Sequence, residues 1–228
     1  MTVLLYYGRQ NKSKGEPKIV AGTSIWKTVW KLQGELNKLV GIDTLDIGKN
    51  ASMSVRDSWF SAYCDEASNE AFEAKENFYH KWWVAEVKKD PNKHYKIIDK
   101  SKLVLELIDV LHFLVSAMQV KDDFASLEER VPLRAPSCDS AAYKTINSLV
   151  VKLINHGYLD ALQILKSLFK YLGVDDNAVL KIYQQKHAAN VARQKSGYSL
   201  VGKTEADNQA IEKSISGSLG KQPDNAQL

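Results

Sequence analysis

Two acidic residues sit where acids are costly. In the run Leu103-Val104-Leu105-Glu106-Leu107-Ile108-Asp109-Val110-Leu111-His112-Phe113-Leu114-Val115, nearly everything except Glu106, Asp109 and His112 is apolar. A helix that is apolar all round is normally buried. With Ser116, the polar residues recur at spacings of three and four, which places them on one side of that helix. Unpaired carboxylates in a core cost several kcal/mol each. Something must compensate them: a basic residue, Lys102 or one elsewhere in the chain, or a hard divalent cation for which Glu106 and Asp109 are ligands.

An earlier segment carries a matching set. Glu66, Glu70 and Glu73 share a helix face beside an apolar stripe of Tyr63, Ala67, Ala71, Ala74 and Phe78. Acids bordering a core stripe point along the seam between packed helices, so Glu70 and Glu73 can converge with Glu106 and Asp109. Four carboxylates in one seam repel unless two or more Mg²⁺ ions neutralise them and bind phosphate oxygens. The alternative is an ordinary solvated acidic face. Near the C-terminus, Lys186, Asn190 and Arg193 lie four and three apart, with Tyr198 close behind. That group suits a phosphate clamp, or an exposed basic last turn complementing its own helix dipole.

The elements that must position these residues are helical. Apolar residues recur three and four apart through most of the chain, and Pro and Gly are sparse between residues 51 and 200. The periodicity predicts helices over 24–40, 54–78, 102–119, 141–156 and 158–172, and a last one from about 174 to 196. Ser24 is a plausible N-cap, and Gly41, Gly173 and Gly197 are natural stops. Residues 1–23 form an N-terminal segment that begins with a short strand-like run. Residues 88–100 read as a charged linker and 121–140 as a loop. Beyond residue 200 the chain is polar, with only Ile211, Ile215 and Leu219 recurring. It reads as a flexible tail or a weak amphipathic arm.

Composition excludes several classes. The 228 residues are 44% hydrophobic and 25% charged, with a net charge of +4, as in an ordinary globular domain. No run of 18 apolar residues predicts a membrane span. The short apolar run Val3–Tyr7 is too brief for a signal segment. Cys64 and Cys138 form no metal or disulfide pattern, so a cytoplasmic, reducing setting is expected. No basic stripe marks extended nucleic-acid binding.

In order along the chain, these motifs resemble the dimeric all-α dUTPase family and its phage dCTPase/dUTPase relatives. Gln33-Gly34-Glu35-Leu36-Asn37 is similar to the family's QxxLN. Glu70-Ala71-Phe72-Glu73 is similar to its ExxE, and His80-Lys81-Trp82-Trp83 to its WKWW, with His80 in place of the first Trp. Glu106-Leu107-Ile108-Asp109 followed by His112-Phe113 matches ExxD and HF. Lys186, Asn190, Arg193, Gln194, Gly197 and Tyr198 match every fixed position of KxxxNxxRQxxGY. The resemblance covers about residues 24–200, with extra helical material in 120–180.

It implies an all-α bundle of the NTP pyrophosphohydrolase type that hydrolyses dUTP to dUMP and pyrophosphate, with dUDP as a second substrate. Glu70, Glu73, Glu106 and Asp109 would hold Mg²⁺, and one of Glu70 and Glu73 would be the base that activates water. Lys186, Arg193 and Tyr198 would bind phosphates, and Asn190 the sugar. Gln33 and Asn37 would pair with the base edge, with Trp82 or Phe113 stacked beside it. A homodimer would complete the site. Loss of the Asp109 charge is expected to relieve repulsion in the metal-free protein. Two rivals stand beside this. One keeps the fold and changes the base: a dCTPase, a dual enzyme or a broader pyrophosphohydrolase. The other is a non-catalytic helical interaction or nucleic-acid-binding protein.

Overall fold

The computed structural model describes residues 24–197 and 206–219. These form ten α-helices: α1 (Ile25–Leu39), α2 (Thr44–Asn50), α3 (Met53–Lys75), α4 (Ala85–Lys89), α5 (Lys100–Val120), α6 (Phe124–Glu129), α7 (Asp139–Ile154), α8 (Tyr158–Tyr171), α9 (Asp176–Lys195) and α10 (Ala206–Leu219). Among the described residues the sole β pairing is an isolated bridge between Phe78 and Ile97. The fold is all-α, as the periodicity and the resemblance led one to expect. The strand-like start of the chain lies outside the described residues.

α5 is the axis of the bundle. It packs against α1, α2, α3, α6, α8, α9 and α10. Sixteen of its 21 residues are buried, which is why its sequence is apolar on every side. It is long and apolar enough to cross a membrane, but its neighbours in the bundle already cover it. The tightest partner is α3, which presents Ala67, Ala71 and Ala74, all fully buried. Methyl-sized side chains at these positions let the two helices approach closely, and the acids beside them are drawn into the seam.

Local chemistry fixes the ends. Asp99 caps α5 by accepting from the Lys102 amide at 2.9 Å, and Asp175 caps α9 by accepting from Ala178 at 2.8 Å. Gly41, Gly173 and Gly197 close α1, α8 and α9 in left-handed conformations, with φ of 88°, 71° and 76°. Ser24 makes no side-chain cap.

The structure departs from the sequence reading at four short or polar elements. α4 occupies part of the segment read as a charged linker. α2 is only seven residues and contains Gly48, so its local propensity is poor. Tertiary contact holds it: a Cβ on Gly48 would lie 2.2 Å from the Gln119 carbonyl oxygen, so only glycine permits this approach to α5. α6 falls inside the segment read as a loop and is anchored by the fully buried Leu127. α10 spans part of the segment read as a flexible tail or a weak amphipathic arm. Ile211 and Ile215, 6% and 2% exposed, bury against the core and dock the helix on α5 and α9. Two apolar residues one turn apart suffice because a complementary surface is already in place. The extra material between 120 and 180 is α6, α7 and α8, with α7 covering α3 and α8 covering α5.

Candidate active site

The seam between α3 and α5 carries the acids. Oxygen atoms of Glu70, Glu106 and Asp109 lie within 4.8 Å of one another. Burial pushes the Glu70 carboxyl up to about 8, helped by the charges of Asp109, Glu73 and Glu106. Burial likewise pushes Glu106 up to about 7, with Asp109 and then Glu73 adding to it. Glu73 does not join the group. It sits exposed at the rim, close enough for its charge to be felt. Glu66, one turn before Glu70, is exposed and accepts from Asn69 at 3.4 Å.

The third helix at the site is α9. Lys186 is 4% exposed, and its Nζ lies 2.7 Å from Asp109 Oδ2. This is a basic compensator of the kind the acids on α5 demanded, supplied to the half-buried Asp109 from a distant part of the chain. Arg193 donates to Asn190 Oδ1 at 3.2 Å, and both side chains line the same cavity as Lys186. The view of this segment as merely an exposed basic turn therefore fails at Lys186. Tyr198 lies outside the described residues.

That cavity encloses about 350 Å³, and Glu70, Asp109, Lys186, Asn190 and Arg193 share it with an apolar wall of Leu36, Val40, Ile42 and Phe113. Gln33 and Asn37 also line it, but their amides are committed. Gln33 Oε1 accepts from Tyr183 Oη at 2.6 Å and His112 Nδ1 at 2.7 Å, while its Nε2 donates to Asn37 Oδ1 at 2.8 Å and Ser116 Oγ at 2.9 Å. Asn37 Nδ2 donates to Thr44, Ser116 and Gln119 at 3.0 to 3.2 Å. Neither amide can turn to suit a ligand without breaking several bonds. Trp82 is not in the cavity: it is 63% exposed and packs edge-on against Trp83.

Two polar atoms of the lining are left over. Tyr63 Oη and His112 Nε2 are buried and without a protein partner. Burial raises the Tyr63 phenol to about 12, so it stays a neutral donor. Burial, with the charge of Lys186 behind it, holds His112 neutral. Because Nδ1 carries the proton given to Gln33, Nε2 is a bare acceptor. Sequence periodicity placed Tyr63 on the apolar stripe and gave no sign that its hydroxyl would go unmatched.

A family model described as dUTPase matches residues 25–198. The chain belongs to the dUTPase family. A search of curated proteins finds no match. Membership makes the chain a nucleotide hydrolase of the dUTPase type, with a nucleotide as substrate. The family region contains every residue of the acid cluster and of the basic face of α9, and it ends before α10.

Proposed function

We propose that the protein hydrolyses dUTP to dUMP and pyrophosphate, with Mg²⁺ held by Glu70, Glu106 and Asp109. The observation that carries this reading is Asp109, whose carboxylate lies within 4.8 Å of those of Glu70 and Glu106 and pairs with the buried ammonium of Lys186, beside a cavity that Glu70, Asp109 and Lys186 line. Three converging carboxylates are a hard, all-oxygen donor set, and burial first, then mutual repulsion, pushes Glu70 and Glu106 up, so a cation bound there would favour their charged forms. When bound, Mg²⁺ offsets the charge of the phosphate chain and orients it for in-line displacement. Lys186 and Arg193 hold phosphate oxygens from the α9 side, joined by Tyr198, and Asn190 takes the sugar hydroxyl. Glu73, outside the ligand group and open to solvent, takes the proton from the attacking water.

The base occupies the apolar end. Uracil presents an N3–H between two carbonyls. His112 Nε2 accepts from that N3–H, and Tyr63 Oη donates to a carbonyl, so both unmatched atoms find partners. Phe113 forms the wall beside the ring. Cytosine presents a lone pair at N3, which a bare imidazole nitrogen repels. This favours dUTP over dCTP. Gln33 and Asn37 act through His112 and Ser116 instead of touching the base. We further propose a homodimer, supported by the apolar groups Phe72, Trp82 and Trp83 left 47–63% exposed along α3 and the segment after it. Sedimentation at twice the 25.6 kDa chain mass is the check. A steady-state panel of dUTP, dCTP, dTTP and dUDP, with and without Mg²⁺, tests the reaction. Metal-dependent pyrophosphate release fastest from dUTP is expected. Equal rates on dCTP would sink the base assignment, and no release from any triphosphate would sink the whole reading.

A further inference from the structure

Lys186 and Arg193 share a third partner that comes from outside the family region. Asn208, in the first turns of α10, accepts at Oδ1 from Lys186 Nζ at 3.1 Å and from Arg193 Nη2 at 3.2 Å. The helix that carries Asn208 is fixed independently of the cavity. Ile211 and Ile215 are buried in the core, Ser216 pairs with Ser101 at 2.7 Å, and Gln185 donates to Ser214 at 3.4 Å. One acceptor atom, held by a docked helix, therefore spans the two cations.

We infer that Asn208 is a positioning residue for the phosphate-binding cations, which makes α10 a working part of the site. This rests on the phosphate role proposed above for Lys186 and Arg193. A long cationic side chain loses rotamer freedom when it grips an anion, and a preset geometry removes part of that cost from binding. An oxygen that accepts from both cations supplies the preset. Its neutrality matters as much as its place. A carboxylate in the same spot would neutralise the cations and weaken their pull on phosphate, whereas a carboxamide aligns them and leaves their charge intact. Asn208 touches no substrate in this scheme and acts through the two side chains it holds.

The test compares Asn208→Ala, Asn208→Asp and Arg193→Ala in the full chain. The readouts are kcat and KM for dUTP with Mg²⁺, inhibition by inorganic pyrophosphate and by dUMP, and Tm. Asn208→Ala should raise KM and weaken pyrophosphate inhibition by about three- to tenfold, the worth of one or two hydrogen bonds. kcat and dUMP inhibition should change little, which a merely structural defect would not reproduce. Asn208→Asp should weaken pyrophosphate more than Ala does while leaving Tm equal or higher. Unchanged KM and pyrophosphate inhibition in Asn208→Ala would overturn the inference. So would tighter binding, because Asn208 would then be standing in the place of a phosphate oxygen. Arg193→Ala separates the two layers of argument. If it weakens pyrophosphate and Asn208→Ala does not, only the role of Asn208 falls. If neither does, the phosphate role of α9 falls with it.

Discussion

The polar groups on α5 near its C-terminal end and those nearer its start live in different surroundings. Around Ser116 and Gln119, amides and hydroxyls from α1 and α2 answer one another. Gln33, Asn37, Thr44, Ser116 and Gln119 form a closed network that ends on the Trp30 carbonyl at 2.7 Å. Around Glu106 and Asp109 the groups are charged: three carboxylates converge, with the Lys186 ammonium paired to Asp109 beside an open cavity. A closed network makes a core specific and rigid. An open one stores an affinity for whatever supplies the missing charge. The difference separates the part of the helix that holds shape from the part we propose does chemistry.

The largest effect should come from changing the open region one charge at a time. Glu70→Gln, Glu106→Gln and Asp109→Asn should each lower dUTP hydrolysis in Mg²⁺ by about a thousandfold, the loss of several kcal/mol of charge stabilisation. Their stabilities in EDTA should diverge. Neutralising Glu70 or Glu106 removes the burial penalty and the lesser repulsion that push those carboxyls up to about 8 and about 7, so these variants should melt higher than the parent. Asp109→Asn should melt lower. This differs from the expectation drawn from sequence, because Asp109 is the ion-pair partner of the buried Lys186, and its neutralisation removes that pair. The same raised values give a pH dependence. The folded protein keeps protons on Glu70 and Glu106 that the unfolded chain releases near pH 4.5. Metal-free stability should therefore be greatest below pH 4.5, as far as these two groups are concerned, and fall as pH rises through about 7 to 8. The gain in Tm on adding Mg²⁺ should grow over the same window, because the cation competes with those protons. Parental activity in any of the three variants, or a Mg²⁺ effect on Tm that shrinks towards pH 8, would remove the seam from the mechanism.

The closed region should respond in stability, independently of metal. Gln33→Leu fills similar space but leaves the Tyr183 hydroxyl and His112 Nδ1 without the acceptor they share. Two unsatisfied buried donors cost about 2–4 kcal/mol in all. Denaturation should show that loss equally in EDTA and in Mg²⁺. A variant as stable as the parent, with only KM for dUTP raised, would return Gln33 to direct contact with the base.

Much of this contrast was legible in the sequence. The acids on α5 stood out because an apolar helix has no cheap place for charge, and the spacing of Lys186, Asn190 and Arg193 gave their shared face. The long helices followed from periodicity. What the sequence could not carry were pairings set by tertiary approach. Which base meets Asp109 depends on how α9 crosses α5. Whether Gln33 is free depends on Tyr183 and His112 meeting its oxygen, and whether Asn37 is free depends on Thr44 and Gln119 arriving beside it; α2 arrives only because Gly48 lets it. Glu73 has the same spacing credentials as Glu70, yet the helix turns it to solvent. α10 stood only as one of two readings, a weak amphipathic arm beside a flexible tail, because two isoleucines in a polar stretch are a weak signal until a surface exists to bury them.

The smallest effect should come where the two regions meet, at Tyr63. Its hydroxyl is buried in the cavity wall and unmatched, so in the free protein it is a liability. Tyr63→Phe removes the oxygen and keeps the ring, which packs against Trp59 and the small cluster around Phe60 and Cys64. With no hydrogen bond to lose, Tm should stay level or rise slightly. Binding should suffer instead, because the hydroxyl's proposed partner is a uracil carbonyl. One hydrogen bond between neutral groups is worth about 0.5–1.5 kcal/mol, so KM for dUTP should rise by roughly two- to tenfold. kcat should hold, since the phosphate end of the cavity is untouched. Inhibition by pyrophosphate, which carries no base, should not change at all, whereas inhibition by dUMP should weaken in step with KM. This pattern is the mirror image of that expected for Asn208→Ala, and together the two variants divide the cavity into a base end and a phosphate end. If Tyr63→Phe instead lowers Tm by several degrees with binding intact, the hydroxyl has a structural partner, and the base must find its donor elsewhere in the wall.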